Sequence, residues 1–192
     1  MKISKALDER INKAIGEKIE IVPYDHSCPK IFKQEVDFLK KRFPKIINRI
    51  EHFGSTAVPE MWAKPIVDML VEVSSLKETK KIIVPDLMSL GYDYFWRPVL
   101  DRPPMYAWFI KRDSIGVRTH HIHMVEAQSN LWDRIYFRDY LRKNKNEARL
   151  YEKLKLDLAK KYPNDREKYT RAKTKYIVNL TNKAKQHYIG TL

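Results

Sequence analysis

Two short runs of residues carry the types and spacing that chemistry needs. The first is His52-Phe53-Gly54-Ser55-Thr56, followed thirteen residues after Ser55 by Asp68 inside Ile66-Val67-Asp68-Met69-Leu70-Val71-Glu72-Val73. It reads as strand, Gly-Ser turn, short loop and second strand. A glycine lets the backbone approach a ligand or take a positive φ, and consecutive turn amides form a nest for an anion. Alone, such a turn is an ordinary strand ending. Asp68 changes its meaning, because a carboxylate on an apolar strand is costly unless paired, hydrogen-bonded or metal-bound. Period two puts Asp68, Leu70 and Glu72 on one face. Asp68 and Glu72 then lie about 13 Å apart, too far to share one ion. An ion pair of Asp68 with Lys64 is the alternative use.

The second run is Arg118-Thr119-His120-His121-Ile122-His123, with three of the six histidines on one strand. His121 and His123 share a face, about 6.5 Å apart at Cα, while His120 points the other way. Two imidazoles so placed can ligate one metal, act as acid and base, or contact phosphate. Phe137-Arg138-Asp139-Tyr140-Leu141-Arg142 and the later Tyr151/Lys155 and Tyr169/Lys173 pairs put aromatic and basic residues one helical turn apart. Such pairs can hold phosphate and stack on a base, or simply form a solvated basic face.

These residues need elements to position them. Helical spacing covers Ile3, Leu7, Ile11 and Ala14, with Ser4 as cap, and a short strand at 20–22 stops at Pro23. A helix is predicted over 27–43, strands over 46–53 and 66–73, and a helix over 77–90 stopped by Gly91. Strands follow at 92–97, 105–112 and 117–125, with a hairpin turn at 113–116. Helices are predicted over 130–143, 145–162 and 165–187. This order is α+β: a mixed sheet flanked by helices, with a helical appendage. The expected organisation is an N-terminal helical extension (1–18), a core (19–128) and a C-terminal helical segment packed on it (129–192).

Lys+Arg number 38 and Asp+Glu 24, a net charge of +14, which favours anionic partners. The single cysteine, Cys28, excludes an internal disulfide and a Cys-based zinc site. The N-terminus has no apolar secretory core and no run is long enough for a membrane span. A cytoplasmic protein with no membrane partner is expected. Nucleic acid is allowed by charge alone, since no recognition motif is present.

The run Ile50-Glu51-His52-Phe53-Gly54-Ser55-Thr56-Ala57-Val58-Pro59, continuing through Ala63-Lys64-Pro65-Ile66-Val67-Asp68-Met69, resembles the diagnostic segment of the GrpB family. Val22-Pro23-Tyr24, the histidine strand, the Phe137–Arg142 helix and Tyr169, Thr170 and Lys173 also match, so the resemblance runs from about residue 19 to 183. It implies a fold like the polymerase-β nucleotidyltransferase superfamily, in which a Gly-Ser turn cradles a triphosphate and carboxylates hold divalent ions. It further implies Gly54, Ser55, Lys64, Arg118, Tyr169 and Lys173 as phosphate or nucleotide contacts, with an NTP as co-substrate and a small-molecule acceptor. One position departs from the pattern: Leu70 stands where a second carboxylate is usual. Asp68, His121 and His123 are therefore expected to make the metal and catalytic set, with His52 a further candidate. Imidazole ligands would extend the metal choice from Mg²⁺ to Mn²⁺ or Zn²⁺. The rival expectations are an idle fold that binds nucleotide or coenzyme A, and a metal-dependent hydrolase using the histidine pair.

Overall fold

The computed structural model describes residues 11–12, 14–99 and 102–189, with the side chains of 98–99 and 102–104 left out. The predicted helix over 3–14 therefore lies mostly outside the described residues; 11–12 and 14–16 are helical. The elements that follow are α1 (Cys28–Arg42), β1 (Ile47–Phe53) and β2 (Val67–Val73). A composite helix, α2, joins Leu76–Glu78, a π turn Thr79–Ile83 and Val84–Ser89. Then come β3 (Asp93–Val99), β4 (Arg102–Arg112), β5 (Arg118–Val125), α3 (Asp133–Lys143), α4 (Lys145–Lys161) and α5 (Arg166–Ile189). The predicted strand at 20–22 is reduced to one bridge, Val22 to Ala63, because Pro23 ends it at once.

The π turn has a cause in the sequence. Pro85 in the next turn has no N–H, and its ring would crowd the carbonyl of Lys81, so the ladder widens just before it, with Val84 N–H on Thr79 O. The 113–117 turn closes as its composition requires. Asp113 Oδ1 accepts from the amides of Ile115 and Val117, and Gly116 takes φ 84°.

The five strands form one mixed sheet in the order β1-β2-β5-β4-β3. β2 pairs antiparallel with β1 and parallel with β5; β4 is antiparallel to both β5 and β3. Alternation divides the faces. Val67, Met69, Val71, Val73, Ile122 and Met124 enter a core shared with Leu39 of α1 and Ile83 and Leu87 of α2. Leu70, Tyr106, Trp108, Ile110 and Val125 face the other way, against Ile11, Ala14 and Ile135. A third cluster joins α3, α4 and α5 around Phe137, Leu141, Tyr151 and Leu180, and takes in Val58 and Met61 from the loop after the Gly-Ser turn. The helices thus grip the loop that leads from β1 to β2. No described helix is long and apolar enough to cross a membrane.

Two buried polar links set the helices on the sheet. Glu35 of α1, 2% exposed, accepts from Tyr92 Oη at 2.7 Å and pairs with Lys111 of β4. Arg138 of α3 donates to Glu51 and to the His52 carbonyl, at 2.8 and 2.7 Å, and also pairs with Asp139. Replacing Arg138 leaves Glu51 Oε2 and the His52 carbonyl without their donor, Arg49 holding only Oε1. Arg138→Met is expected to cost about 2–4 kcal/mol in chemical denaturation, against under 1 kcal/mol for the exposed Arg171→Met. Equal midpoints for the two variants would contradict this role.

Candidate functional site

The sheet register brings the expected residues together. Asp68 lies opposite Phe53 on β1 and opposite His121 on β5, while His123 is two residues along on the same face. His121 Nδ1 is 3.0 Å from Asp68 Oδ1. Ligand atoms of Asp68, His121 and His123 all fall within 4.8 Å of one another, the one such cluster of three among the described residues. Leu70 is fully buried in the apolar face beyond them and adds no ligand.

Gly54 is required by packing as well as conformation. It has φ 73°, and a Cβ there would lie 2.9 Å from Asp68 Cβ and closer still to Oδ2. The chain can pass this near the carboxylate only without a side chain. Ser55 opens a 3₁₀ turn, Ser55–Ala57, and its hydroxyl reaches the Tyr151 phenol on α4. His52 faces away, onto α1. Its ring stacks on Phe32 at 4.8 Å and its Nε2 meets Thr56 Oγ1 at 3.1 Å. Thr56 donates to Ile66 O, so it accepts from His52, which ties the two ends of the β1–β2 loop. His52 is therefore a loop-closing residue, outside the Asp68 cluster.

The tautomer of His121 follows from its neighbours. Arg118 can only donate, and its Nη1 lies 3.3 Å from His121 Nε2. Nε2 is thus an acceptor, and the ring proton sits on Nδ1 facing Asp68. A cation held by Asp68 and His121 would replace that proton, which moves to Nε2 as Arg118 turns to its other acceptors. Those exist: Arg118 also pairs with Glu17 at 2.6 Å and donates to Ala14 O. His123 is different. Its Nδ1 is buried with no hydrogen-bond partner, and its ring is boxed by Phe53 at 5.2 Å, Tyr106 at 5.5 Å and Trp108 at 6.1 Å. A buried ring nitrogen that no protein group meets leaves this imidazole free to take a ligand.

Electrostatics agree with that donor set. Burial pushes the imidazoles of His121 down to about 4 and His123 to about 3, so both are neutral at pH 7. Burial alone would raise the Asp68 carboxyl, but the His121 hydrogen bond and the favourable electrostatic surroundings of His121, His123 and Lys64 hold it below its usual value. The site therefore offers one carboxylate and two neutral imidazoles, a set suited to Mn²⁺, Zn²⁺ or Fe²⁺ better than to Mg²⁺.

Lys64, Tyr169 and Lys173 converge beside this cluster. Lys64 Nζ and Lys173 Nζ lie 5.6 and 4.1 Å from the centre of the Tyr169 ring, which is fully buried. Burial lowers Lys64 to about 8 and Lys173 well below the usual lysine value. Arg118 stands apart from them in use, since its donors go to Glu17, Ala14 and His121. Lys155 was expected only as half of the Tyr151/Lys155 pair, and Arg134 not at all. Lys155, 2% exposed, donates to Trp62 O, while Glu152 accepts from Trp62 N–H at 2.7 Å, so α4 clamps the loop after the turn. Arg134 lies one helical turn before Arg138 and faces His123 and Lys173. Its spacing with Arg138 and Arg142 was the available signal.

Similarity to known proteins follows the same residues. The GrpB family model, described as GrpB protein, matches residues 18–183. The chain belongs to the GrpB family. A relative described as glutamate-rich protein GrpB, from Alkalihalophilus pseudofirmus, is 36% identical over 173 residues, covering 90% of this chain and 97% of its own. A UPF0157 protein from Pseudomonas aeruginosa is 36% identical over 179 residues, 92% of this chain and 72% of that protein. The crystal structure of the conserved protein GrpB from Enterococcus faecalis superposes with a TM-score of 0.77 at 29% identity, covering 88% of this chain and 99% of that one. The segment over 11–17, whose Glu17 binds Arg118, precedes the matched span.

Two outcomes test this geometry. Gly54→Ala forces a positive φ and a clash with Asp68, and is expected to cost about 2–4 kcal/mol in denaturant unfolding. Parity with the parent protein would refute the close approach. The second concerns pH. His52, at about 4, joins His121 and His123 as imidazoles that burial depresses below the unfolded 6.5. As pH falls below 6.5 the unfolded chain binds protons first, so stability is complete above 6.5 and drops as pH goes to 4. A melting temperature that stays level over that interval would contradict neutral burial.

Proposed function

We propose that this GrpB-family protein is a metal-dependent nucleotidyltransferase that moves a nucleotidyl group from an NTP to a hydroxyl of a small-molecule acceptor. The observation that carries the reading is the Asp68–His121–His123 cluster set against Gly54 on paired strands. This arrangement resembles the nucleotidyltransferase fold of the polymerase-β superfamily, where a Gly-Ser turn binds phosphates beside metal-bound carboxylates. In that role the acceptor oxygen attacks the α-phosphorus, its bond to pyrophosphate breaks, and the hydroxyl proton leaves to solvent. A divalent ion at the cluster would lower the pKa of the hydroxyl and offset charge on the phosphates. Gly54 lets the turn close onto Asp68, Ser55 and Tyr169 offer hydroxyls, and Lys64 and Lys173 neutralise charge. Before an ion binds, Arg118 holds His121 through Nε2 with the Nδ1 proton on Asp68.

One observation favours a second reading, a nucleotide-binding module without chemistry: Leu70 takes the place of a second carboxylate and is fully buried. Label transfer from α-³²P NTPs across an acceptor panel, with Mn²⁺, Zn²⁺ and Mg²⁺, separates the two. Transfer is expected with Mn²⁺ and is lost by about a thousandfold in Asp68→Asn. In parallel, His123→Ala should weaken Mn²⁺ binding about 10–100-fold in calorimetry. NTP binding that is indifferent to metal and to Asp68→Asn, with no transfer, would leave the binding module.

A further inference from the structure

Most charged side chains buried in this protein are paired. Arg112, Arg118 and Arg166 converge on Glu17, Arg112 also holds Asp93, and Arg138 holds Glu51 and Asp139. Three cations next to the Asp68 cluster break the pattern. Among the described residues Lys64 and Lys173 make no hydrogen bond or ion pair; both lie over the face of Tyr169 within reach of the Asp68 charge, and Lys173 is 9% exposed. Arg134 makes no hydrogen bond or ion pair among the described residues. It stands in electrostatic reach of His123, Lys173, Tyr106 and Tyr151. The Tyr169 hydroxyl between the lysines is buried and also has no partner.

The carboxylates at hand are already in use. Asp68 accepts from His121, and Glu17 serves three arginines. Lys173 is buried, while Lys64 and Arg134 are half-buried; a cation drawn out of water without a carboxylate of its own weakens the folded state, and such groups gather at ligand sites. Three positive charges and a free hydroxyl come from three separate elements: the loop before β2, α3 and α5. A carboxylate or a monoanion would leave two of those charges bare. A chain of phosphates spreads several charges over the distance between them, and a guanidinium meets phosphate oxygens with two parallel donors.

We infer that Arg134, with Lys64 and Lys173, forms a clamp for a polyphosphate chain, closed by the Tyr169 hydroxyl and working without a divalent ion. The inference rests on the same site as the transferase reading and names its donor end. It adds Arg134 as the residue through which α3 senses the ligand.

The test uses full-length protein treated with EDTA and inorganic tripolyphosphate as probe, with acetate at equal ionic strength as control. Calorimetry and melting are read for the parent, Arg134→Met, Lys173→Met and the exposed Arg171→Met. Tripolyphosphate is expected to bind the parent and raise its melting temperature. Arg134→Met and Lys173→Met should each weaken binding about tenfold or more, with Arg171→Met unchanged. Without ligand, Arg134→Met should melt at or above the parent temperature, because it removes an unpaired charge. Failure of the parent to bind, unchanged affinity in Arg134→Met, or a ligand-free Arg134→Met that unfolds early would each overturn the clamp. Tripolyphosphate binding with no label transfer keeps the clamp and removes the transferase. Transfer with an unchanged Arg134→Met affinity does the reverse.

Discussion

The structure depends on the register of β2 between β1 and β5. That register sets Asp68 opposite Phe53 on one side and His121 on the other. A slip of one residue would turn Asp68 into the apolar core and bring Met69 to the site face. What prevents it is burial: Val67, Met69, Val71 and Val73 are all under 4% exposed on the α1–α2 side. The apolar face therefore fixes where the carboxylate stands, and Gly54 then lets the β1 turn close over it.

The two faces of the sheet carry opposite demands. One is apolar, with Glu35 as a deep charge held by two partners. The other gathers cations, imidazoles and a phenol near a single carboxylate, and leaves several of their polar atoms without protein partners. A fold selected for stability alone would replace Lys173 or Arg134 by an apolar residue. Their presence beside a three-ligand cluster is what gives the functional reading its weight. Glu17 fits the same logic, since an anion from the chain itself already occupies the neighbouring arginine group.

Much of this was legible in the sequence because it rests on local periods. The two-residue alternation separated Asp68 from Met69 and His120 from His121, and the structure keeps both separations. The three C-terminal helices were marked by their apolar spacing and by Asn144 and Pro163. Pairings between charges far apart in the chain left no such trace. Arg118 read as a phosphate contact, yet its donors are spent on Glu17, Ala14 and His121, about a hundred residues away for the first two. The loop contact of Lys155 and the inward position of Arg134 were hidden for the same reason: spacing groups such residues on one helix face but does not tell a solvated cation from one turned inward. The π turn in α2 needed the steric effect of Pro85 on the ladder, which periodicity does not register.

The central claim is that Asp68, His121 and His123 hold one divalent ion next to bound phosphates. Anomalous diffraction at the manganese edge tests it most directly, from crystals soaked with Mn²⁺ and a non-hydrolysable NTP analogue. The account predicts a peak within coordination distance of all three side chains, with phosphate density running from it toward Tyr169. A peak elsewhere, or nucleotide density with no metal at Asp68, would contradict it.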